Sequence, residues 1–157
     1  MTRSRGLMLA AVGLPLAAVA AALVSQYAYD MQPCPWCVLQ RLVFVAMALV
    51  ALPGLLIHNA SARRASAAAV LTLSLCGVAA ALWQHFVAAS STSCNLTLAD
   101  RIVSSLKLDE GLPQVFAAYA SCADAAVKIA GIPYEFFSLA LFIALGLMAL
   151  AIWRRPV

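Results

Sequence analysis

With 157 residues, 65% of them hydrophobic and 10% charged, and a mean hydropathy of +0.96, the chain cannot hide its apolar surface in a water-soluble core. Soluble domains are roughly half apolar and a quarter charged. The net charge of +4 comes mostly from basic residues in the short segments between apolar runs, with no stripe to track phosphates, so nucleic-acid binding is excluded and a multispanning membrane protein remains.

Four stretches reach the roughly 20 apolar residues that a hydrocarbon core requires. The first covers about 6–24 and follows Arg3 and Arg5. Its basic start and small residues also suit a signal peptide, but the run is long for one. A short loop over about 25–37 follows and carries Cys34-Pro35-Trp36-Cys37. The second span covers about 38–57, where Pro53-Gly54 is expected to loosen the last turn. Arg63 and Arg64 separate it from the third, about 65–88, with Cys76 as a small buried hydrophobe in mid-span. A long loop, about 89–133, comes next. Within it Leu98, Ile102, Val103 and Leu106 recur at helical spacing, with Asp100, Arg101 and Lys107 on other faces. That pattern predicts a short amphipathic helix, either on the membrane surface or packed as an ordinary loop helix. The fourth span, about 134–153, ends before Arg154 and Arg155. All four should be helices, because lipid satisfies no free backbone group. The expected architecture is one all-α integral membrane domain over 1–157: a four-transmembrane-helix bundle with two outer loops.

Charge sets the orientation. Arg3, Arg5, Arg63, Arg64, Arg154 and Arg155 fall on one side of an even number of spans, which the positive-inside rule makes cytoplasmic. Asp30, Asp100, Asp109, Glu110, Asp124 and Glu135 fall on the other side or at its border. Both termini are then inside. A cleaved first span would not move the cysteines.

Four of the five cysteines, Cys34, Cys37, Cys94 and Cys122, lie in the outer loops, where disulfides persist. They allow two bridges in three connectivities; the natural division is Cys34–Cys37 and Cys94–Cys122. A CxxC ring is too small to add much loop-closure stability, so its use is redox. Cys37 falls at the start of a helix, whose dipole favours a thiolate, and Arg41 follows one turn later. Half a zinc site is the alternative, but His85 is the one outer histidine. A c-type haem needs a histidine where Val38 stands. Cys94 and Cys122 are 28 residues apart. They form either a staple worth about 3–4 kcal/mol or a second redox pair that exchanges with a soluble partner.

Electrons from a dithiol need an acceptor, and the chain has no GxGxxG fingerprint or iron–sulfur ligand set. A lipid-soluble quinone fits the setting. Arg41, Gln84 and His85 are the candidate hydrogen-bond donors to it, with Trp36 and Trp83 as stacking surfaces. Their bland alternatives are a snorkelling arginine and interfacial aromatic anchors.

Taken together, these features resemble the disulfide-bond formation protein B (DsbB) family. The likeness rests on four spans, an early CxxC, an Arg four residues after its second Cys, two separated loop cysteines, and Pro113-Gln114-Val115-Phe116 ahead of Cys122. It implies a quinone-dependent oxidoreductase of the bacterial inner membrane with periplasmic cysteines. Cys94 would form the mixed disulfide with a thioredoxin-fold dithiol oxidase (DsbA-like), with Cys122 as its partner. Cys34–Cys37 would reoxidise that pair. Cys37 would face the quinone, ubiquinone or menaquinone, with Arg41 assisting. Gln84 matches the family's quinone-proximal glutamine after a one-residue shift, which keeps His85 as the alternative. Gln40 stands where some members carry an acidic residue. A vitamin-K-epoxide-reductase-like protein places its CxxC late in the chain, not early. A disulfide-stapled structural protein and a metal carrier are the rivals from other classes.

Overall fold

The computed structural model describes residues 3–57, 59–90 and 97–154; Cys94 and Arg155, both singled out above, lie outside them. Four helices are long and apolar enough to cross a membrane: α1 Arg3–Tyr29, α2 Pro35–Leu56, α3 Ala60–Phe86 and, at the end of the chain, α7 Tyr134–Arg154. A 3₁₀ turn, Ala88–Ser90, extends α3. The second loop holds α4 Leu98–Ser105, α5 Leu108–Gly111 and α6 Pro113–Phe116, then a hairpin of β1 Lys128–Ile129 and β2 Ile132–Pro133. The sequence pattern did not announce that hairpin, because its strands are two residues each. Its turn puts Ala130 and Gly131 at φ 51° and 82°, the double left-handed geometry of a tight hairpin.

The first connection is shorter than expected, 30–34 instead of 25–37, and the reasons are local. At its C-terminus α1 runs on to Tyr29, where Asp30 takes φ 52° and Met31 N–H returns to the Ser25 carbonyl at 3.2 Å, so a left-handed residue ends the helix and one of its free carbonyls is still satisfied. α2 starts early because Pro35 occupies its first position with φ already set for a helix. Pro53-Gly54 does not end α2. Ile57 N–H still reaches the Pro53 carbonyl at 2.8 Å, and Gly54 N–H is taken by Ser66 Oγ of α3 at 2.9 Å.

Small residues let the helices approach closely, as in membrane bundles generally. Phe142 of α7 is fully buried, stacks on Phe44 of α2 at 4.2 Å between centroids, and lies over Gly77 of α3 with no room for a Cβ. Ser74 Oγ donates to the Phe142 carbonyl, and Gly146 packs on the same serine. Leu49, Leu75 and Leu147 face outward, as lipid-facing positions do. Cys76 is also exposed. The expectation of a buried Cys76 is corrected: it sits on the outer face of α3, one position off the Gly77 seam.

In α4 the Thr97–Asp100 capping box sets the start. Ala99 and Val103 are buried, the latter against Val38 and Phe116. Leu98, Ile102 and Leu106 form an exposed apolar stripe. The helix therefore has a packed face and an apolar outer face.

Gly77→Ala should destabilise the α3–α7 seam by on the order of 1–3 kcal/mol, while Gly13→Ala, with nothing within 4 Å of the added Cβ, should not. Thermal denaturation in detergent separates the two.

Candidate functional site

The site grows from the amino-terminal end of α2. Cys34 is the N-cap residue, and its sulfur accepts the Cys37 N–H at 3.3 Å. The two free thiols lie 2.8 Å apart. Sulfur here takes the place of the oxygen that usually satisfies a free helix N–H, so the CxxC pair is built into the cap.

Cys122 arrives from the second loop. Its segment is pinned to the first connection by Tyr119 N–H and Ala120 N–H, which both donate to the Pro33 carbonyl at 3.0 and 3.3 Å. Cys122 is buried in one cluster with Cys34, Trp36 and Ala99. The structure thus places Cys122 beside Cys34, not apart from the CxxC pair. Cys94, its expected partner, lies outside the described residues.

The electrostatics differ between these two sulfurs. Hydrogen bonds to Cys122 and Cys37, reinforced by burial, push the Cys34 thiol far up. The Cys122 thiol is lowered, chiefly because Cys34 donates to it and also because the Trp36 backbone N–H points at it, and these outweigh burial. Cys34 is the proton-holding member and Cys122 the one poised as thiolate, at the positive end of α2.

Cys37 faces the opposite way, into a cavity of about 390 Å³. Ala18, Ala21 and Ala22 of α1, Phe44 of α2, and Phe137 and Leu141 of α7 give it apolar walls. Met31, Pro33, Val127 and Ile129 close its outer end. Its polar groups converge near the sulfur. Gln84 Nε2 reaches Cys37 Sγ at 3.3 Å, and its Oε1 accepts from Gln40 Nε2 at 2.7 Å. Arg41 is buried and does not snorkel. It donates to Gln26 Oε1 at 2.7 Å, to the Val115 carbonyl at 3.0 Å and to the Ala22 carbonyl at 3.4 Å. An apolar slot with a few convergent donors is the usual form of a cofactor site, and it fits a flat quinone ring better than a charged ligand.

His85 is not in the cavity wall. Its Nδ1 meets Glu135 Oε1 at 2.7 Å, and Phe86 and Phe136 flank the ring at 4.9 and 4.7 Å between centroids. Glu135 itself lines the cavity. Trp36 and Trp83 lean on each other at 6.2 Å between centroids outside the cavity, as cover for Cys34. Gln26, Glu135 and the Val115 carbonyl were not found as site groups from sequence, and Gln40 was noted there only as a departure from the family pattern. The usable signal was a polar residue inside an apolar run, as at Gln26 and Gln40.

A family model described as Disulfide bond formation protein DsbB matches residues 4–152. Disulfide bond formation protein B of Herminiimonas arsenicoxydans is 31% identical over 151 residues, which is 96% of this chain and 95% of that protein. The protein of the same name from Cupriavidus metallidurans is 30% identical over 156 residues, 98% of this chain and 94% of its own. The one from Alkalilimnicola ehrlichii is 33% identical over 152 residues, 96% and 93%.

In the fully reduced protein, Cys122 should react with iodoacetamide at lower pH than Cys34. Its thiolate fills as pH rises through a lowered value, whereas Cys34 stays protonated past the free-thiol range near about 8.5. Mass-spectrometric mapping of the labelled cysteines against pH tests the order.

Proposed function

The chain belongs to the disulfide bond formation protein B family, so it is a multi-pass bacterial membrane protein of disulfide bond formation, and from that we propose a specific electron path. The protein reoxidises a periplasmic thioredoxin-fold dithiol oxidase (DsbA-like) and passes the electrons through two cysteine pairs to a membrane quinone. Both termini are cytoplasmic, held there by Arg3, Arg5, Arg63, Arg64, Arg154 and Arg155. The redox cysteines then face the periplasm.

The observation that carries this reading is the position of Cys34, in contact with Cys37 on one side and buried in one cluster with Cys122 on the other. Exchange moves from sulfur to sulfur through mixed disulfides, so a shared central sulfur is what a relay needs. Cys94 takes the incoming dithiol as a mixed disulfide, and Cys122 is released as thiolate. Cys122 attacks Cys34 of the Cys34–Cys37 disulfide and frees Cys37 at the cavity. There the positive end of α2, the Gln84 amide and the Arg41 charge all favour the anion. The partner's second thiol displaces Cys94 and leaves oxidised. Cys94 attacks Cys122 and restores the Cys94–Cys122 disulfide, which leaves Cys34 and Cys37 as a dithiol whose two electrons would pass to the quinone as the Cys34–Cys37 disulfide closes again.

A bound quinone supplies a two-electron, two-proton acceptor. Arg41 and Gln84 would hold it beside Cys37, with the alanines of α1 as an apolar wall. His85 reaches the site only through Glu135. The chain's own contribution is to exclude water, hold the Cys37 thiolate and keep each pair of sulfurs within reach.

Purified protein in detergent should reduce ubiquinone or menaquinone when given a reduced thioredoxin-fold oxidase. Cys37→Ser and Cys94→Ser should abolish turnover. Arg41→Met, which removes a charge-assisted hydrogen bond, should weaken quinone KM roughly ten- to a hundredfold. No quinone reduction with Cys34 and Cys37 locked as a disulfide would leave a stapled structural protein instead.

A further inference from the structure

Glu135 is a carboxyl in the wall of a largely apolar cavity, and the path above gives it no task. It stands in the first turn of α7, is 6% exposed, and lines the same cavity as Cys37, Arg41 and Gln84. Its Oε1 meets His85 Nδ1 at 2.7 Å. Among the described residues no other hydrogen bond reaches the carboxyl. His85 belongs to the last turn of α3, lies outside the cavity lining, and is 29% exposed. The pair therefore runs from the cavity wall to the outer surface of the protein.

A bare buried carboxylate is costly, and a lone partner offsets that cost only if a proton or a positive charge sits between them. At 2.7 Å, the Glu135 Oε1–His85 Nδ1 contact needs a proton on one of the two atoms. Imidazole exchanges protons with water in the neutral range and passes them to a bonded carboxyl, which makes the pair a proton shuttle.

Among the described residues of the wall, no other carboxyl or imidazole is available. Arg41 and Gln84 donate hydrogen bonds but do not give up a proton. Cys37 is the source of electrons. Of the remaining groups, Tyr134 is the other ionisable side chain in the wall, and neither α1 nor the hairpin contributes one.

We infer that Glu135 is the proton donor to a quinone carbonyl oxygen in this cavity and that His85 reloads it from periplasmic water; the inference rests on the quinone reading above. The balance is complete. Closing the Cys34–Cys37 disulfide breaks the Cys34 S–H bond, the Cys37 proton having already left with formation of the thiolate, and sends two electrons to the quinone ring. Glu135 gives its proton to one carbonyl oxygen and His85 restores it, while the other oxygen takes its proton from water as the hydroquinone leaves. Two O–H bonds form, hydroquinone leaves, and the two thiol protons are released to the same water.

The test uses the full-length protein in detergent with Glu135→Gln and His85→Ala variants. Ubiquinone binding is read from quenching of tryptophan emission. Single-turnover reduction by the dithiol form is followed from the quinone's ultraviolet absorbance across pH. Infrared difference spectra report the carboxyl stretch. The expected result is near-unchanged ubiquinone binding in both variants, with reduction at least about tenfold slower in Glu135→Gln, as for loss of a general acid. One ionisation should vanish from the pH profile while the Cys37 limb stays. A carboxyl band should change on reduction in the wild type and be absent in Glu135→Gln. His85→Ala should be slow and be rescued by added imidazole, which a misfolded variant would not be. Reduction by Glu135→Gln at the wild-type rate and with the wild-type pH profile overturns the inference and leaves the quinone reading standing. Failure of the wild type to bind either ubiquinone or menaquinone overturns both.

Discussion

The free N–H groups at the start of α2 are the constraint around which this molecule is arranged. They emerge at the edge of an apolar phase, where an unsatisfied backbone donor costs more than in water. Sulfur satisfies them. Cys34 caps the helix and takes the Cys37 N–H, while the Trp36 N–H turns toward Cys122. One helix end thus supports the fold and also holds sulfur in its anionic form. Pro35 makes this possible, since it starts the helix and has no N–H of its own to satisfy.

Around that end the buried polar groups form short chains, each tying one element to another. Arg41 joins α2 to α1 through Gln26 and to the second loop through the Val115 carbonyl. Gln40 and Gln84 join α2 to α3, and the chain ends on Cys37. His85 and Glu135 join α3 to α7. At the exposed rim, where water screens it, Tyr27 adds a bond from α1 to the Gln114 carbonyl at 2.7 Å. In surroundings of low dielectric such bonds are strong when made and costly when left open, so they fix relative positions that apolar packing alone would leave loose. Deeper in the bundle the contacts are of another kind: Phe142 against Phe44 and Gly77, and Gly146 against Ser74. Adaptable chemistry is confined to one end and close packing fills the rest.

Much of the fold was legible, and for physical reasons. Helices that cross lipid must be long, apolar and internally hydrogen-bonded, so hydropathy alone locates α1, α2, α3 and α7 to within a few residues. Their ends were less legible. Asp30 closes α1 through a left-handed backbone that an aspartate adopts only with tertiary support. Cys34 caps α2 with a side chain rarely used for that purpose. The hairpin after Cys122 is too short to carry an alternating pattern. Cys76 was read as buried because it is apolar and mid-span, yet in lipid the outer face is apolar too, so hydropathy cannot distinguish inside from outside.

What the sequence determined by itself was the set of chemical groups and the surface they share: a CxxC at a helix start, two distant cysteines in one loop, an arginine one turn below, and basic segments that set the orientation. Those follow from composition and short-range spacing. Only the tertiary structure decided that Cys122 lies against Cys34, that Gln84 and not His85 reaches Cys37, and that His85 holds Glu135 instead. Each of those contacts joins residues far apart in the chain. Adjacent positions on a helix, such as Gln84 and His85, point about 100° apart. Which of them faces the site depends on how α3 is rotated against α2 and α7, and that rotation is set by packing at Gly77 and Phe142, well away from the site itself.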